Sequence, residues 1–223
     1  MNEPVASDVA AASRRAMIAG QILPNRVTDA RVLAALRAVP REHFVPKCLR
    51  GVAYVDEDLE VAPGRYLMEP MIFARLIGEA LITPADTVLD IACATGYSTA
   101  VLARLAETVV AVEEHHELAE QASAKLAELG VDNAVVIEAS LVAGAPSEAP
   151  FDVIVINGAV EVVPPALTDQ LAEGGRLVCV RREGAVSRGH LITRADGVVG
   201  GRDLFDAFSP LLPGFEAPRR FRF

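Results

Sequence analysis

The sequence predicts an α/β protein with a doubly wound, mostly parallel sheet, a helical cap before it and an antiparallel edge after it. From residue 83 onward, short and nearly continuous apolar runs alternate with helical patterns. Strands that are buried on both faces of a parallel sheet have this appearance. The first 80 or so residues contain helical patterns instead, and the last strand candidates follow one another without long helices between them. We expect a single domain over residues 1–223.

Within that domain we expect three segments. Residues 1–80 form the cap, residues 81–180 form the ligand-binding core, and residues 181–223 form the edge strands. The sequence contains no internal repeat, and its composition does not change sharply enough to mark a linker between independent domains. A chain of this length is long enough to bury a sizeable core by itself.

The composition narrows the class of protein. With 52% hydrophobic and 23% charged residues, the chain resembles a folded α/β enzyme rather than a disordered protein. Its net charge of −9 argues against nucleic acid and anionic membranes as partners. The three cysteines are an odd number without a Cys-x-x-Cys spacing, so we expect neither disulfides nor a metal site. Without a secretory pattern or a run of about 20 apolar residues, we expect a cytoplasmic protein. The oligomeric state is left open.

The cap is predicted from helix start and stop signals. Residues 1–12 carry no strong pattern, which leaves both an irregular and a helical conformation open, and a first helix is expected over residues 13–22, ending before Pro24. Asp29 is suited to cap a second helix, which Pro40 would stop. An irregular connection then leads to a turn-rich segment, Gly64–Pro70, and to a helix over residues 71–80.

Strands and helices alternate through the core. We predict helices over residues 97–105 and 116–129, and a further helix from Pro164-Pro165 to Gly174-Gly175. The predicted strands are residues 87–91, 108–112, 134–137, 153–156, 177–180, 190–193 and 204–207. These seven strands make up the expected sheet.

One stretch joins a strand, a turn and a helix. The strand Thr87–Ile91 carries Asp90, small residues follow from Ala92 to Gly96, and a helix is expected from Tyr97. About 20 residues later, the next strand ends in the acidic pair Glu113-Glu114. This spacing is typical of nucleoside pockets in α/β proteins. However, Ala92 and Ala94 stand where such a turn usually has glycines.

Ligands of open α/β sheets bind beyond the carboxyl ends of the strands. This rule points to Ala92–Tyr97, Glu113, the residues after Ile137, and Asn157. The Glu113 carboxylate is suited to accept hydrogen bonds from the two hydroxyls of a ribose. The turn does not match Gly-x-Gly-x-x-Gly, the Walker pattern is absent, and no tyrosine precedes a lysine by four residues. A cofactor without phosphates fits better, and S-adenosylmethionine is the candidate.

Beyond these patterns, the chain resembles the protein-L-isoaspartate O-methyltransferase family over nearly its full length. The Val-Pro-Arg-Glu-x-Phe-Val-Pro string is specific to that family, whereas Val88-Leu-Asp-Ile indicates only a methyltransferase. The matching segments are Met17–Gln21, Thr28–Leu33, Val39–Pro46, Ala53–Asp56, Gly64–Pro70, Val88–Leu102, Pro150–Ile154 and Pro164–Val178. The resemblance implies a Rossmann-like class I methyltransferase fold, S-adenosylmethionine as cofactor, and repair of isoaspartyl residues in damaged proteins or peptides.

The resemblance also implies roles for individual residues. The turn from Asp90 through Ala92, Ala94, Gly96 and Tyr97 would bind the methionine side of the cofactor, and Glu113 would bind its ribose. Asn157 would line the region of methyl transfer. Ala139 and Ser140 fall where the family has Gly-Asp-Gly, whose aspartate contacts the adenine; Ala139 cannot make that contact, which leaves Ser140 or a nearby backbone amide.

The acceptor loop, Gly64–Pro70, departs most from the family. The family's Gly-Gln-Thr-Ile-Ser-x-Pro has hydroxyl residues beside the acceptor carboxylate, whereas this chain has Tyr66, Met68 and Glu69 in that loop. A carboxylate is already ionised at neutral pH, so its methylation needs alignment rather than a general base. Met68 cannot donate a hydrogen bond for alignment and Glu69 would repel a carboxylate, which leaves Arg65 or Tyr66 to compensate.

Three functions therefore stay open. The intact cap motifs favour an isoaspartyl methyltransferase with a rebuilt acceptor loop. The altered loop favours a cofactor-binding homologue without isoaspartyl activity, or a methyltransferase for a different acceptor.

Overall fold

A computed structural model describes residues 3–218 and contains a seven-stranded sheet preceded by a helical cap and a two-stranded hairpin. The cap consists of α1 (Glu3–Met17), a π-helical turn (Ile18–Ile22) and α2 (Ala30–Ala38). The hairpin is β1 (Leu59–Ala62) and β2 (Arg65–Leu67), and α3 (Pro70–Glu79) follows it. Residues 1–2 and 219–223 of the predicted segments lie outside the described residues.

The remaining elements alternate as the apolar pattern predicts. They are β3 (Thr87–Ile91), α4 (Tyr97–Leu102), β4 (Thr108–Glu113), α5 (His116–Glu128), β5 (Ala134–Glu138), β6 (Phe151–Val160), α6 (Pro165–Thr168), β7 (Leu171–Glu183), β8 (Val186–Ala195) and β9 (Val198–Asp206). Their order across the sheet is β5-β4-β3-β6-β7-β8-β9. Strands β3 to β7 pair in parallel, and β8 and β9 add antiparallel pairs. The predicted fold class is confirmed.

Both faces of the sheet are buried. Successive residues of a strand point to opposite faces, and accordingly Val88 packs with the cap while Leu89 packs in a second cluster on the other side. In β6, Val153 and Ile154 divide between the two clusters in the same way. This double burial explains why the strands are nearly continuous apolar runs.

The central strand determines where a ligand can bind. Chain connections leave β3 toward β4 on one side, and β6 lies on its other side. The expected ligand position is therefore at the carboxyl ends of β3, β4 and β6, where the strand order switches.

Two predictions about the cap and the hairpin need correction. The first helix begins at Glu3 rather than Ser13, and its last turn widens into the π-helical residues Ile18–Ile22. Residues 59–67, predicted as irregular, form the β1–β2 hairpin, with a register shift between Glu60 and Ala62. Strands this short and irregularly paired show little alternation of apolar and polar residues in the sequence.

The helix predicted from Pro164-Pro165 to Gly174-Gly175 is wrong in its second half. Helix α6 ends at Thr168, and strand β7 begins at Leu171 and includes both glycines. Gly174 has a φ of +77°, and a Cβ on Gly175 would lie 2.8 Å from the carbonyl oxygen of Ala172. The glycine pair thus allows a tight bend inside the strand instead of ending a helix. Helix α4 is also shorter than predicted, ending at Leu102.

No helix within residues 3–218 is long and apolar enough to cross a membrane.

Replacing Asp29 tests the predicted cap of α2. Its Oδ1 accepts hydrogen bonds from the backbone N–H groups of Arg31 (2.7 Å) and Val32 (3.3 Å). We expect Asp29→Ala to lower the free energy of unfolding by about 1 kcal/mol, because these helix N–H groups lose their acceptor. Urea denaturation measures the change. Asp132→Ala, at an exposed position after α5, is the control and should change stability by less than about 0.5 kcal/mol; equal losses would contradict the capping role.

Candidate cofactor and acceptor site

The turn after β3 has the backbone geometry of a glycine-rich loop although two of its residues are alanines. Ala92, Ala94 and Gly96 have φ values of +60°, +49° and +93°. The N–H groups of Ala92 and Cys93 donate to the carbonyl of Val112, at 2.9 and 3.3 Å, which ties the turn to the end of β4. Left-handed alanines cost roughly 1–2 kcal/mol each relative to ordinary backbone. The surrounding contacts must hold this strained conformation.

Asp90 connects three elements at the carboxyl end of the sheet. Its carboxylate is fully buried and accepts hydrogen bonds from Ser98 Oγ (2.8 Å), Thr99 Oγ1 (2.7 Å) and Asn157 Nδ2 (2.6 Å). Asn157 also donates to the carbonyl of Ile91 at 2.9 Å. Burial raises the pKa of Asp90 to about 6, against the opposing effect of these donors. β3, α4 and β6 are thereby held in one arrangement.

Glu113 lies directly beneath the turn. It is fully buried, and its Oε2 accepts from the N–H of Ala94 at 3.0 Å. Its Oε1 accepts from the N–H groups of Glu114 (3.0 Å) and His115 (3.1 Å) and from Arg65 Nε (3.0 Å). The predicted ribose-binding acid therefore stands at the expected strand end, next to the turn, and is engaged by an arginine of the acceptor loop.

Two buried arginines contribute to the site in ways that the sequence does not predict. The sequence indicates Arg65 only as a substitute donor toward the acceptor, whereas its side chain reaches Glu113 and Glu114. Arg41, within the family-specific string, is fully buried and donates to the carbonyls of Ala53 (2.7 Å) and Met68 (2.8 Å). The string was the available signal for Arg41; nothing in the sequence indicated the partner of Arg65.

Arg41 positions the acceptor loop against the cofactor turn. Its guanidinium lies 5.0 Å from the ring centroid of Tyr97, which packs edge-on against Phe44 at 5.7 Å. Burial lowers the pKa of Arg41. Because Arg41 also holds the carbonyl of Met68, Tyr97 and the acceptor loop share one buried cation.

The acceptor loop brings apolar and acidic groups to the site. Met68 is 4% exposed, and Glu69 is half-buried just before α3. Burial, followed by the charges of Asp56 and Asp58, raises the pKa of Glu69 to about 7. Burial likewise raises the pKa of Asp58 to about 6. Tyr66 supplies the hydroxyl group within Gly64–Pro70.

The segment after β5 is connected to the site through its backbone. The N–H of Ala139 donates to the carbonyl of Glu113 at 3.1 Å. Ser140 is exposed, and its carbonyl accepts from the N–H groups of Ala143 and Gly144 at 3.1 and 3.2 Å. Ala139 and Ser140 thus lie beside the strand end that carries Glu113, without a carboxylate for an adenine.

Several predicted residues line one small cavity between the turn and the acceptor loop. The lining consists of Tyr66, Leu67, Met68, Phe73, Ala92, Cys93, Tyr97, Ser98 and Asn157. Its volume is about 10 Å³, roughly the room needed for one water molecule. As the side chains stand, S-adenosylmethionine does not fit. Its ribose would need the Glu113 carboxylate, which Arg65 occupies.

Over residues 3–218, no group of three or more histidine, cysteine, aspartate or glutamate side chains is arranged to hold a metal ion.

The sheet order, the left-handed turn and the acids at adjacent strand ends define a Rossmann-like α/β protein of the class I methyltransferase type. More particularly, the chain belongs to the protein-L-isoaspartate(D-aspartate) O-methyltransferase family, whose sequence profile matches residues 12–199. The family uses S-adenosylmethionine. The resemblance seen in the sequence motifs is therefore confirmed.

Named relatives cover most of the chain. A protein-L-isoaspartate O-methyltransferase of Methylorubrum extorquens is 39% identical over 221 residues, covering 96% of this chain and 93% of the relative. One of Koribacter versatilis is 43% identical over 168 residues, covering 75% of this chain and 76% of the relative.

Solved structures agree on the fold. One protein-L-isoaspartate O-methyltransferase superposes with a TM-score of 0.80 at 24% identity, covering 90% of this chain and 66% of its own. A Plasmodium falciparum protein described as a putative family member, in complex with S-adenosyl-L-homocysteine, superposes with a TM-score of 0.73 at 20% identity. The match covers 91% of this chain and 97% of that protein. At these identities the likeness shows the fold alone.

Replacing Ala92 by glycine tests the strain in the turn. We expect Ala92→Gly to leave stability unchanged or raise it by up to about 1 kcal/mol, because glycine adopts a positive φ without steric cost. Ala100→Gly, at a buried position inside α4, is the matched control and should lose about 1 kcal/mol or more. Urea denaturation compares the variants; equal losses would show that the turn stores no strain.

Asp90→Asn tests the buried carboxyl group. The pKa of Asp90 is raised from 3.8 to about 6, so its contribution to stability is full below about pH 4 and is lost as pH rises through 6. Relative to Asp90→Asn, the wild type should lose on the order of 3 kcal/mol between pH 4 and pH 7. Urea denaturation across this range measures the difference. Asp58 and Glu69 titrate in both proteins, and parallel pH profiles would contradict the raised pKa.

Proposed function

We propose that this protein transfers a methyl group from S-adenosylmethionine to the carboxylate of isoaspartyl residues, as a repair enzyme for damaged proteins in the cytoplasm. The observation that carries the proposal is the extent of the family match. The match spans residues 12–199, so it includes the cap, the acceptor loop and the cofactor turn together. A relation confined to the nucleoside-binding core would not support a choice of acceptor.

The proposal assigns the cofactor to the carboxyl ends of β3, β4 and β6. S-adenosylmethionine would supply a methyl group activated by its positively charged sulfur. The turn from Ala92 to Tyr97 would approach it closely, and Glu113 would accept from its ribose hydroxyls. Asp90 would support the turn indirectly, because its hydrogen bonds from Ser98 and Asn157 hold α4 and β6 to the end of β3.

The acceptor loop would align the substrate carboxylate. Among the family's two hydroxyl positions, only that of Tyr66 retains a hydroxyl, and Tyr66 lines the cavity. Glu69 and Asp58 have raised pKa values of about 7 and about 6, so each is partly protonated near neutral pH. Partial protonation reduces their repulsion of an acidic acceptor.

The proposed division of the chain follows from these roles. Residues 1–80 would present the acceptor, residues 81–180 would hold the cofactor, and residues 181–223 would complete the sheet edge. A cytoplasmic location is supported by the cysteines, since Cys48, Cys93 and Cys179 are free.

A second candidate is a cofactor-binding homologue without isoaspartyl activity. It is favoured by the acceptor loop, where the family's serine is replaced by the buried Met68 and Glu69 lies among other acids. The same loop is compatible with a different methyl acceptor.

Peptide methylation distinguishes these functions. We expect methyl transfer to an isoaspartyl peptide and none to the same peptide with a normal aspartate. The double variant Tyr66→Thr/Met68→Ser should raise kcat/KM for the isoaspartyl peptide by about tenfold, the value of one recovered hydrogen bond. Radiolabelled methyl transfer measures both results.

The controls separate binding from turnover. Calorimetry with S-adenosyl-L-homocysteine on the same preparations reports cofactor binding. Binding without transfer to either peptide, in both the wild type and the double variant, would favour the second candidate. Absence of binding in both would refute the cofactor assignment itself.

A further inference from the structure

Arg65 occupies the position where the cofactor's ribose is expected. Its side chain is 1% exposed although it belongs to the short strand β2, close to the surface turn at Gly64. Its Nε donates to Glu113 Oε1 at 3.0 Å, its Nη2 to Glu114 Oε1 at 2.5 Å, and its Nη1 to the carbonyl of Gly64 at 3.1 Å. One guanidinium thus joins the acceptor loop to both acids at the end of β4.

The two hydroxyls of a ribose cannot both bind the Glu113 carboxylate while Arg65 is bound to it. Each carboxylate oxygen has about two lone-pair positions. Oε1 already accepts from three donors, Arg65 Nε and the N–H groups of Glu114 and His115, whereas Oε2 accepts from the N–H of Ala94 alone. Three of these donors are backbone groups fixed by the turn and the strand end. Arg65 is the donor that a ligand can displace.

The acid on the outer side provides Arg65 with an alternative partner. The side chain of Glu114 is 36% exposed, whereas that of Glu113 is fully buried. If Arg65 turns outward, it can keep Glu114 while it releases Glu113. The free-energy cost of releasing Glu113 is then smaller than the cost of releasing both acids, because the Arg65 guanidinium stays paired with Glu114.

We propose that Arg65 is a latch on the cofactor site, whose guanidinium must leave Glu113 before both ribose hydroxyls of S-adenosylmethionine can bind this carboxylate. The inference rests on the proposed function, since it takes Glu113 as the ribose-binding acid. Arg65 then sets cofactor affinity by competition.

Calorimetry with S-adenosyl-L-homocysteine tests the latch. Arg65→Gln introduces the residue of the family motif and removes the competing charge. We expect the variant to bind about tenfold more tightly than the wild type or better, since binding no longer requires breaking a buried ion pair. The matched control is Arg176→Gln. Arg176 pairs with Asp86 at 2.5 Å near the opposite end of the sheet, with 18% of its side chain exposed, and its loss should leave affinity unchanged.

A second measurement uses the unaltered protein, in case Arg65→Gln folds poorly. In the free protein the Nε–H of Arg65 is buried and should exchange slowly with water. Saturation with S-adenosyl-L-homocysteine should shift its NMR signal and accelerate its exchange. The Nε–H of Arg176 reports any general loosening of the fold.

The outcomes separate the latch from the proposed function. If the wild type binds and Arg65→Gln binds equally or more weakly, the latch is overturned while the cofactor assignment stands. An unchanged Arg65 Nε–H at saturation, or an equal gain in affinity from Arg176→Gln, also overturns it. If neither the wild type nor Arg65→Gln binds, the cofactor assignment fails and the latch fails with it.

Discussion

The buried carboxylate of Glu113 is the interaction on which the candidate site depends. Through its hydrogen bonds it holds the turn after β3, the chain leaving β4 and the acceptor loop. A buried charge is tolerated only when it is paired and fully hydrogen-bonded. The Glu113 carboxylate therefore ties these three segments together.

Asp90, at the end of the neighbouring strand, is stabilised differently. Its hydrogen bonds come from neutral donors, two hydroxyls and the amide of Asn157, and burial raises its pKa to about 6. Glu113 receives a guanidinium instead. Two acids at adjacent strand ends thus serve separate purposes: Asp90 fastens β3 to α4 and β6, whereas Glu113 connects the core to the acceptor loop.

Much of the fold follows from local pattern. Apolar runs predict the parallel strands because both sheet faces are buried, and Asp29 predicts the start of α2 because its side chain caps it. The hairpin was missed because β1 and β2 are short and irregularly paired. The glycine pair inside β7 reads as a helix end in the sequence because the pattern does not distinguish a bend in a strand from a helix stop.

By itself, the sequence determined the sheet, the cap, the family and the strand ends where site residues collect. These features depend on periodicity, capping residues and motifs, which act over a few neighbouring positions. Only the tertiary structure decided what those residues contact. Arg65 and Glu113 are 48 positions apart in the chain, and their pairing is set by how the hairpin packs against β4. The buried ion pair at the candidate cofactor site is a consequence of that packing.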